Sequence, residues 1–163
     1  MNECSCNSCR SACVRRAGWF MPGEVAVAAK HMGMSEQEFF DKYVAVDYWV
    51  DTEEPIFLLA PATEKCSPGS EYPYDCMGTC TFFQEGLCQI HEAKPHECRW
   101  AHHSRTNEEA AGEHRRIAEA WKNHQEEVER LLGRKPEMPV PSLSLLLSLM
   151  QVFGSEKSYD RVG

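Results

Sequence analysis

The chain has 163 residues, a net charge of −8 and nine cysteines, and 42% of its residues are apolar. That length suits one domain with an apolar core, spanning 1–163, and is short for two independent ones. The acidic balance repels a phosphate backbone and argues against a nucleic-acid partner.

The first cysteines, Cys4, Cys6, Cys9 and Cys13, follow C-x-C-x2-C-x3-C and read as an N-terminal metal loop. Pro22, Gly23 and Glu24 then open a helix over 25–32 that Gly33 stops. Ser35 and Glu38 form a capping box for a second short helix carrying Phe39, Phe40 and Tyr43. At Val44 the period falls to two: Val44, Val46, Tyr48 and Val50 alternate with Ala45, Asp47 and Trp49, and 56–60 is apolar again beyond a turn at 51–55. The expectation there is a hairpin. Three prolines, a glycine and two serines make 61–74 a loop that delivers Cys66 toward Cys76.

The second burst, Cys76, Cys80, Cys88 and Cys98, is spaced C-x3-C-x7-C-x9-C. Beyond it lies a helical extension over about 105–153. Ala110, His114, Ile117, Trp121, His124, Val128 and Leu131 place one stripe on a long helix over 107–132, which Gly133 and Pro136 end. Pro136, Pro139 and Pro141 connect it stiffly to an apolar helix over 142–153, and the polar tail from Gly154 frays. The fold class expected is α+β and mainly helical: a small β-hairpin, irregular cysteine-rich metal-binding loops and a long C-terminal helix.

Closely spaced thiols can turn toward one ion, and four in ten positions is too dense for isolated buried cysteines. The first ten residues lack the basic and apolar regions of a secretory signal, and the longest apolar run, 143–153, falls short of the ~20 residues that span a bilayer. The expectation is therefore a cytoplasmic protein without a membrane partner. In that reducing compartment the thiols are metal ligands rather than structural disulfides, the alternative being an exported disulfide-bonded domain. Cys66, beside Ser67 and Pro68, reads equally as a spare loop thiol.

His91, three residues after Cys88, has the spacing of a mixed sulfur and nitrogen site. His96, His102 and His103 surround Cys98 in sequence and could hydrogen-bond its sulfur. His114 and His124 interrupt the apolar stripe and read as structural histidines rather than a general acid or base. Glu108, Glu109, Glu113, Glu126, Glu127 and Glu129 read as a solvated helix face with Arg115, Arg116 and Lys122 as partners. No Gly-rich nucleotide loop follows a strand, and no catalytic residue is assigned.

Cys6-x2-Cys9-x3-Cys13, then Cys80-Thr81-Phe82-Phe83, Gly86-Leu87-Cys88-Gln89-Ile90-His91, Lys94-Pro95 and Cys98-Arg99, in this order, resemble the YkgJ-type cysteine cluster (CxxCxxCC) family over about residues 6–99. The resemblance implies zinc or iron chelation by Cys6, Cys9, Cys13, Cys80, Cys88 and Cys98, with Cys76 and Cys4 next. Ala12 stands where the family has another cysteine, and Cys4, Cys66 and Cys76 lie outside the pattern, so one of them is expected to replace the lost ligand. Flagellin lysine methylases look related and rely on an iron-sulfur cluster, which keeps an enzyme open. The irregular spacing favours an iron-sulfur cluster, [4Fe-4S] first, with a redox or group-transfer role; the alternative is a zinc-stabilised structural or interaction module.

Overall fold

The computed structural model describes residues 7–73, 77–102 and 104–140. It is mainly helical α+β, as the sequence predicts. In chain order come α1 (Asn7–Cys13), α2 (Glu24–His31), α3 (Glu36–Tyr43), β1 (Val44–Trp49), β2 (Ile56–Pro61), β3 (Phe83–Gln84), β4 (Leu87–Cys88), a 3-10 turn (His91–Ala93), α4 (His96–Trp100), α5 (Asn107–Lys122) and α6 (Gln125–Leu132).

The spacing of the first cysteine burst predicts a loop, but Asn7–Cys13 is helical, which sets Cys9 and Cys13 one turn apart. The α2 helix buries Val25, Ala28 and Ala29, one apolar stripe at spacings of three and one. The α3 helix begins at the predicted capping box, where the Ser35 hydroxyl accepts from Glu38 N–H and the Glu38 carboxylate accepts from Ser35 N–H. It buries Phe39 and Phe40 and runs directly into β1.

The β1–β2 hairpin is antiparallel and pairs Val44 with Pro61 through Trp49 with Ile56. Val44 to Asp47 are all buried, so both faces of β1 are covered along that length. Both flanks of the ladder are also occupied. Residues 69–72 run beside β1, where Val46 N–H donates to Ser70 O at 2.9 Å and Tyr72 N–H to Val46 O at 2.7 Å. The segment expected as a featureless loop therefore completes the sheet. On the other edge, the Gln125 side chain accepts from Phe57 N–H and donates to Phe57 O, covering an edge that would otherwise be open.

The long helix expected over 107–132 is two helices. It breaks at Asn123–His124, where the His124 ring bonds Ala120 O at 2.8 Å and Gln125 Nε2 donates to Trp121 O at 2.8 Å. These side chains satisfy carbonyls at the end of α5, and the turn sends Gln125 to β2. Ile117, Trp121, Val128 and Leu131 still face the core, because the predicted stripe survives the break, whereas His124 lies outside it and is exposed. The Trp121 indole donates to Phe20 O at 2.7 Å. The apolar helix expected over 142–153 and the tail beyond it lie outside the described residues.

Replacing Ser35 by alanine removes one of two reciprocal caps on α3. We expect a loss of about 1 kcal/mol in chemical denaturation, with the denaturant slope unchanged.

Candidate metal centre

Backbone pairing brings the two cysteine bursts together. Residues 78–81 are extended and hydrogen-bonded on both sides. Gly78 N–H donates to Arg15 O at 2.9 Å and Cys80 N–H to Cys13 O at 2.8 Å, while Glu64 N–H donates to Thr79 O and Thr81 N–H to Ala62 O. Cys80 thus lies between the end of α1 and the continuation of β2. Phe83 N–H donates back to Cys80 O, and Phe83 pairs with Cys88 across the small β3–β4 hairpin. Its turn residues Glu85 and Gly86 both have positive φ, 51° and 79°, the backbone of a two-residue hairpin turn.

Cys98 arrives from another direction, on the five-residue helix α4. Its sulfur lies against Gly18: a Cβ on that glycine would stand 2.6 Å from Cys98 Sγ and 3.1 Å from its amide nitrogen. Only glycine leaves room for this approach. Two carboxylates staple the same stretch. Glu97 accepts from Trp19 N–H at 2.7 Å, and Glu24 accepts from Met21 N–H and His96 N–H, each at 2.9 Å, and from Arg99.

The sulfurs of Cys13, Cys80, Cys88 and Cys98 are linked electrostatically in part: Cys88 reaches Cys13 and Cys80, and Cys13 and Cys80 reach Cys98. Burial is the first cause that raises each thiol above its ordinary value, and neighbouring sulfurs add to it: Cys88 acts on Cys13, Cys13 and Cys88 on Cys80, and Cys80 and Cys13 on Cys98. Cys80 is pushed up to about 12, and Cys98 well above the thiol range. Opposing this, nearby backbone N–H groups lower the thiols, Phe82 and Phe83 acting on Cys80, Ile90 on Cys88 and Gly18 on Cys98. Lys94 also favours the thiolates of Cys13 and Cys88. Amide donors stabilise a thiolate, but burial among like charges forbids several thiolates at once unless a cation shares the site.

Among the described residues, no group of three or more histidine, cysteine, aspartate or glutamate side chains forms a ready metal-holding arrangement. Four neighbouring sulfurs are present, then, rather than a closed coordination shell. Their chemistry fits a thiophilic metal such as zinc or iron. Of the other candidate ligands, Cys4, Cys6 and Cys76 lie outside the described residues, and Cys9 is placed by its backbone on α1.

Cys66 stands apart. Its sulfur accepts from Thr63 N–H at 3.1 Å, and burial, first among its influences, raises the thiol while Asp47 and Tyr72 act on it rather than another cysteine. Of the histidines expected around Cys98, His96 bonds Glu113 at 2.6 Å and His102 bonds Ser104 at 2.7 Å. His91, expected beside Cys88, is exposed. His103 lies outside the described residues. Glu113, expected on a solvated face, is 9% exposed and bound by Arg116 as well as His96. His114, on the apolar stripe, hydrogen-bonds Glu97 at 2.8 Å.

Sequence reasoning passes over Gly18 and Glu97 and reads Glu24 only as a helix opener, yet all three hold the last cysteine in place. Spacing cannot show this, because Glu97 reaches back 78 residues to Trp19 and Glu24 reaches forward 72 residues to His96.

A family model, CxxCxxCC, described as "Putative zinc- or iron-chelating domain", matches residues 5–127. The match extends past the residues that carry the sequence resemblance and takes in α5. No curated protein and no solved structure matches the chain.

Gly18→Ala forces a methyl group against the Cys98 sulfur and should cost about 1–3 kcal/mol, as overpacking does. Gly112→Ala, on α5 with nothing within 4 Å of the added carbon, should instead stabilise by about 0.5–1 kcal/mol. Urea unfolding of the two variants checks both signs.

Proposed function

The chain belongs to the CxxCxxCC family, whose assigned property is zinc or iron chelation, and from that premise we propose that its cysteines hold an iron-sulfur cluster, [4Fe-4S] first, with a redox or group-transfer role. The observation that carries this reading is the neighbourhood of Cys13, Cys80, Cys88 and Cys98. They are delivered by a helix end, a backbone-paired segment, a hairpin strand and a short helix, and nearby backbone N–H groups favour the thiolate at three of them. Donors from separate elements suit the corners of a cluster, and hydrogen bonds to cysteine sulfur are one of the means by which a protein sets a cluster's potential.

The ligands named by the family pattern are Cys6, Cys9, Cys13, Cys80, Cys88 and Cys98, with Cys76 and Cys4 as substitutes for the position occupied by Ala12. A bound cluster supplies one-electron chemistry, or a site for substrate at an iron without a protein thiolate. The chain supplies burial, amide donors and the ammonium of Lys94, all acting on the sulfurs. Zinc is the second reading, because four thiolates suffice for a closed tetrahedral shell; the protein is then a metal-stabilised interaction module.

A reducing, cytoplasmic setting is part of this proposal, since free thiols persist there. Among the described residues no helix is long and apolar enough to cross a membrane. The net charge of −8 supports a partner other than nucleic acid.

Anaerobic purification with analysis of iron, zinc and acid-labile sulfide tests the reading. Brown protein with comparable iron and sulfide is expected. Colourless protein with stoichiometric zinc replaces it by the second reading, and metal-free protein overturns both. Cys80→Ser and Cys98→Ser should each lose more than about half of the bound metal, as removal of a ligand implies, whereas Cys66→Ser should keep it. Stripping the metal with a chelator under reducing conditions should lower the melting temperature, because the sites tie residues 13 and 98 to residues 78–88.

A further inference from the structure

Cys98 sits on a helix of five residues whose N-terminal cap makes no side-chain hydrogen bond, so α4 does not hold its own position. The preceding residue supplies the anchorage. Glu97 N–H donates to Trp19 O at 3.2 Å, and Trp19 N–H donates back to Glu97 Oε2 at 2.7 Å. The other carboxylate oxygen, Oε1, accepts from His114 Nε2 at 2.8 Å, on α5. These bonds close around the point where Gly18 meets the Cys98 sulfur.

Trp19 is itself fixed. It is 1% exposed, its indole N–H donates to Asp47 on β1 at 2.5 Å, and the Arg16 guanidinium lies 4.3 Å from its ring centroid. The His114 ring packs 5.1 Å from the Trp19 ring, so it touches both the tryptophan and the carboxylate that bind each other. The result is a continuous chain of contacts from β1 through Trp19 and Glu97 to α5. The metal reading uses none of its side chains as ligands.

We propose that Glu97 and His114 are positioning residues for Cys98: the carboxylate, oriented by the imidazole, clamps residues 97–98 onto Gly18 and Trp19 and so holds the Cys98 sulfur where the neighbouring thiols can share a metal with it. The proposal rests on the metal reading for its purpose, but the clamp is a property of the chain alone and has its own readout. Two features point to positioning rather than general stability. The bonds fall on the residue next to a cysteine, and the His114 side chain is still 25% exposed, so its ring is not part of the fully buried core.

The test uses the full chain with His114→Ala, Glu97→Ala, the conservative His114→Gln, and His31→Ala, exposed at the end of α2, as a surface control. In metal-loaded protein, chelator competition should show affinity weakened by about 10- to 100-fold in His114→Ala and Glu97→Ala, the range found when groups that orient metal ligands are removed. His114→Gln, which restores a donor to Glu97, should recover most of that loss, and His31→Ala should match the parent chain. In metal-free protein, alkylation followed by peptide mass spectrometry should show Cys98 labelled several-fold faster in the two alanine variants while Cys66 is unchanged. A parent chain that binds no metal would sink the metal reading alone, and the Cys98 labelling would then decide the clamp. If Glu97→Ala fails to fold, His114→Ala carries the test. Parent-like affinity and parent-like Cys98 labelling in His114→Ala overturn the proposal.

Discussion

Several thiols buried side by side can remain there only as neutral groups, or as thiolates that share a cation. That constraint governs the arrangement of the whole middle of this chain. Burial raises the proton affinity of Cys13, Cys80, Cys88 and Cys98, neighbouring sulfurs raise that of Cys13, Cys80 and Cys98 further, and amide N–H groups and Lys94 act in the opposite direction. Amide groups near sulfur favour the thiolate, the form in which a cysteine holds a metal.

The scaffold that enforces this neighbourhood is mostly backbone. Residues 78–81 are held on one side by residues 13–15 and on the other by 62–64, so that Cys80 is fixed by ladder bonds rather than by its own side chain. The hairpin turn at Glu85–Gly86 then returns the chain to place Cys88 across from Phe83. Cys98 depends on side chains instead, on Glu97 and Glu24, and on the absence of a Cβ at Gly18. Two physically different devices, backbone pairing and carboxylate staples, therefore serve one cluster. The staples are the more sensitive of the two, since a single substitution can remove one.

The α5–α6 pair joins this scaffold to the core. Trp121 reaches Phe20, Gln125 closes the edge of β2, and His114 reaches Glu97, so one side of the helical layer touches both the apolar interior and the residue beside the last cysteine. The family match, which ends at residue 127, takes in α5 and the start of α6.

Whatever depends on neighbours along the chain is legible in the sequence by itself. The capping box at Ser35 and Glu38, the two short helices, the hairpin and the apolar stripe of Ile117, Trp121, Val128 and Leu131 are all local patterns, each governed by propensity and period. The cysteine spacing points to metal for the same reason, because ligand type and loop length are written in the chain itself. The tertiary structure alone decides which thiols are neighbours, why Gly18 must be glycine, how Asp47 and Glu113 come to be buried, and why the long helix breaks so that Gln125 can meet Phe57. These depend on segments up to about eighty residues apart returning to one place, and no local preference records where a chain returns; the free energy that selects the return comes from burial and hydrogen bonds that exist only once it has happened.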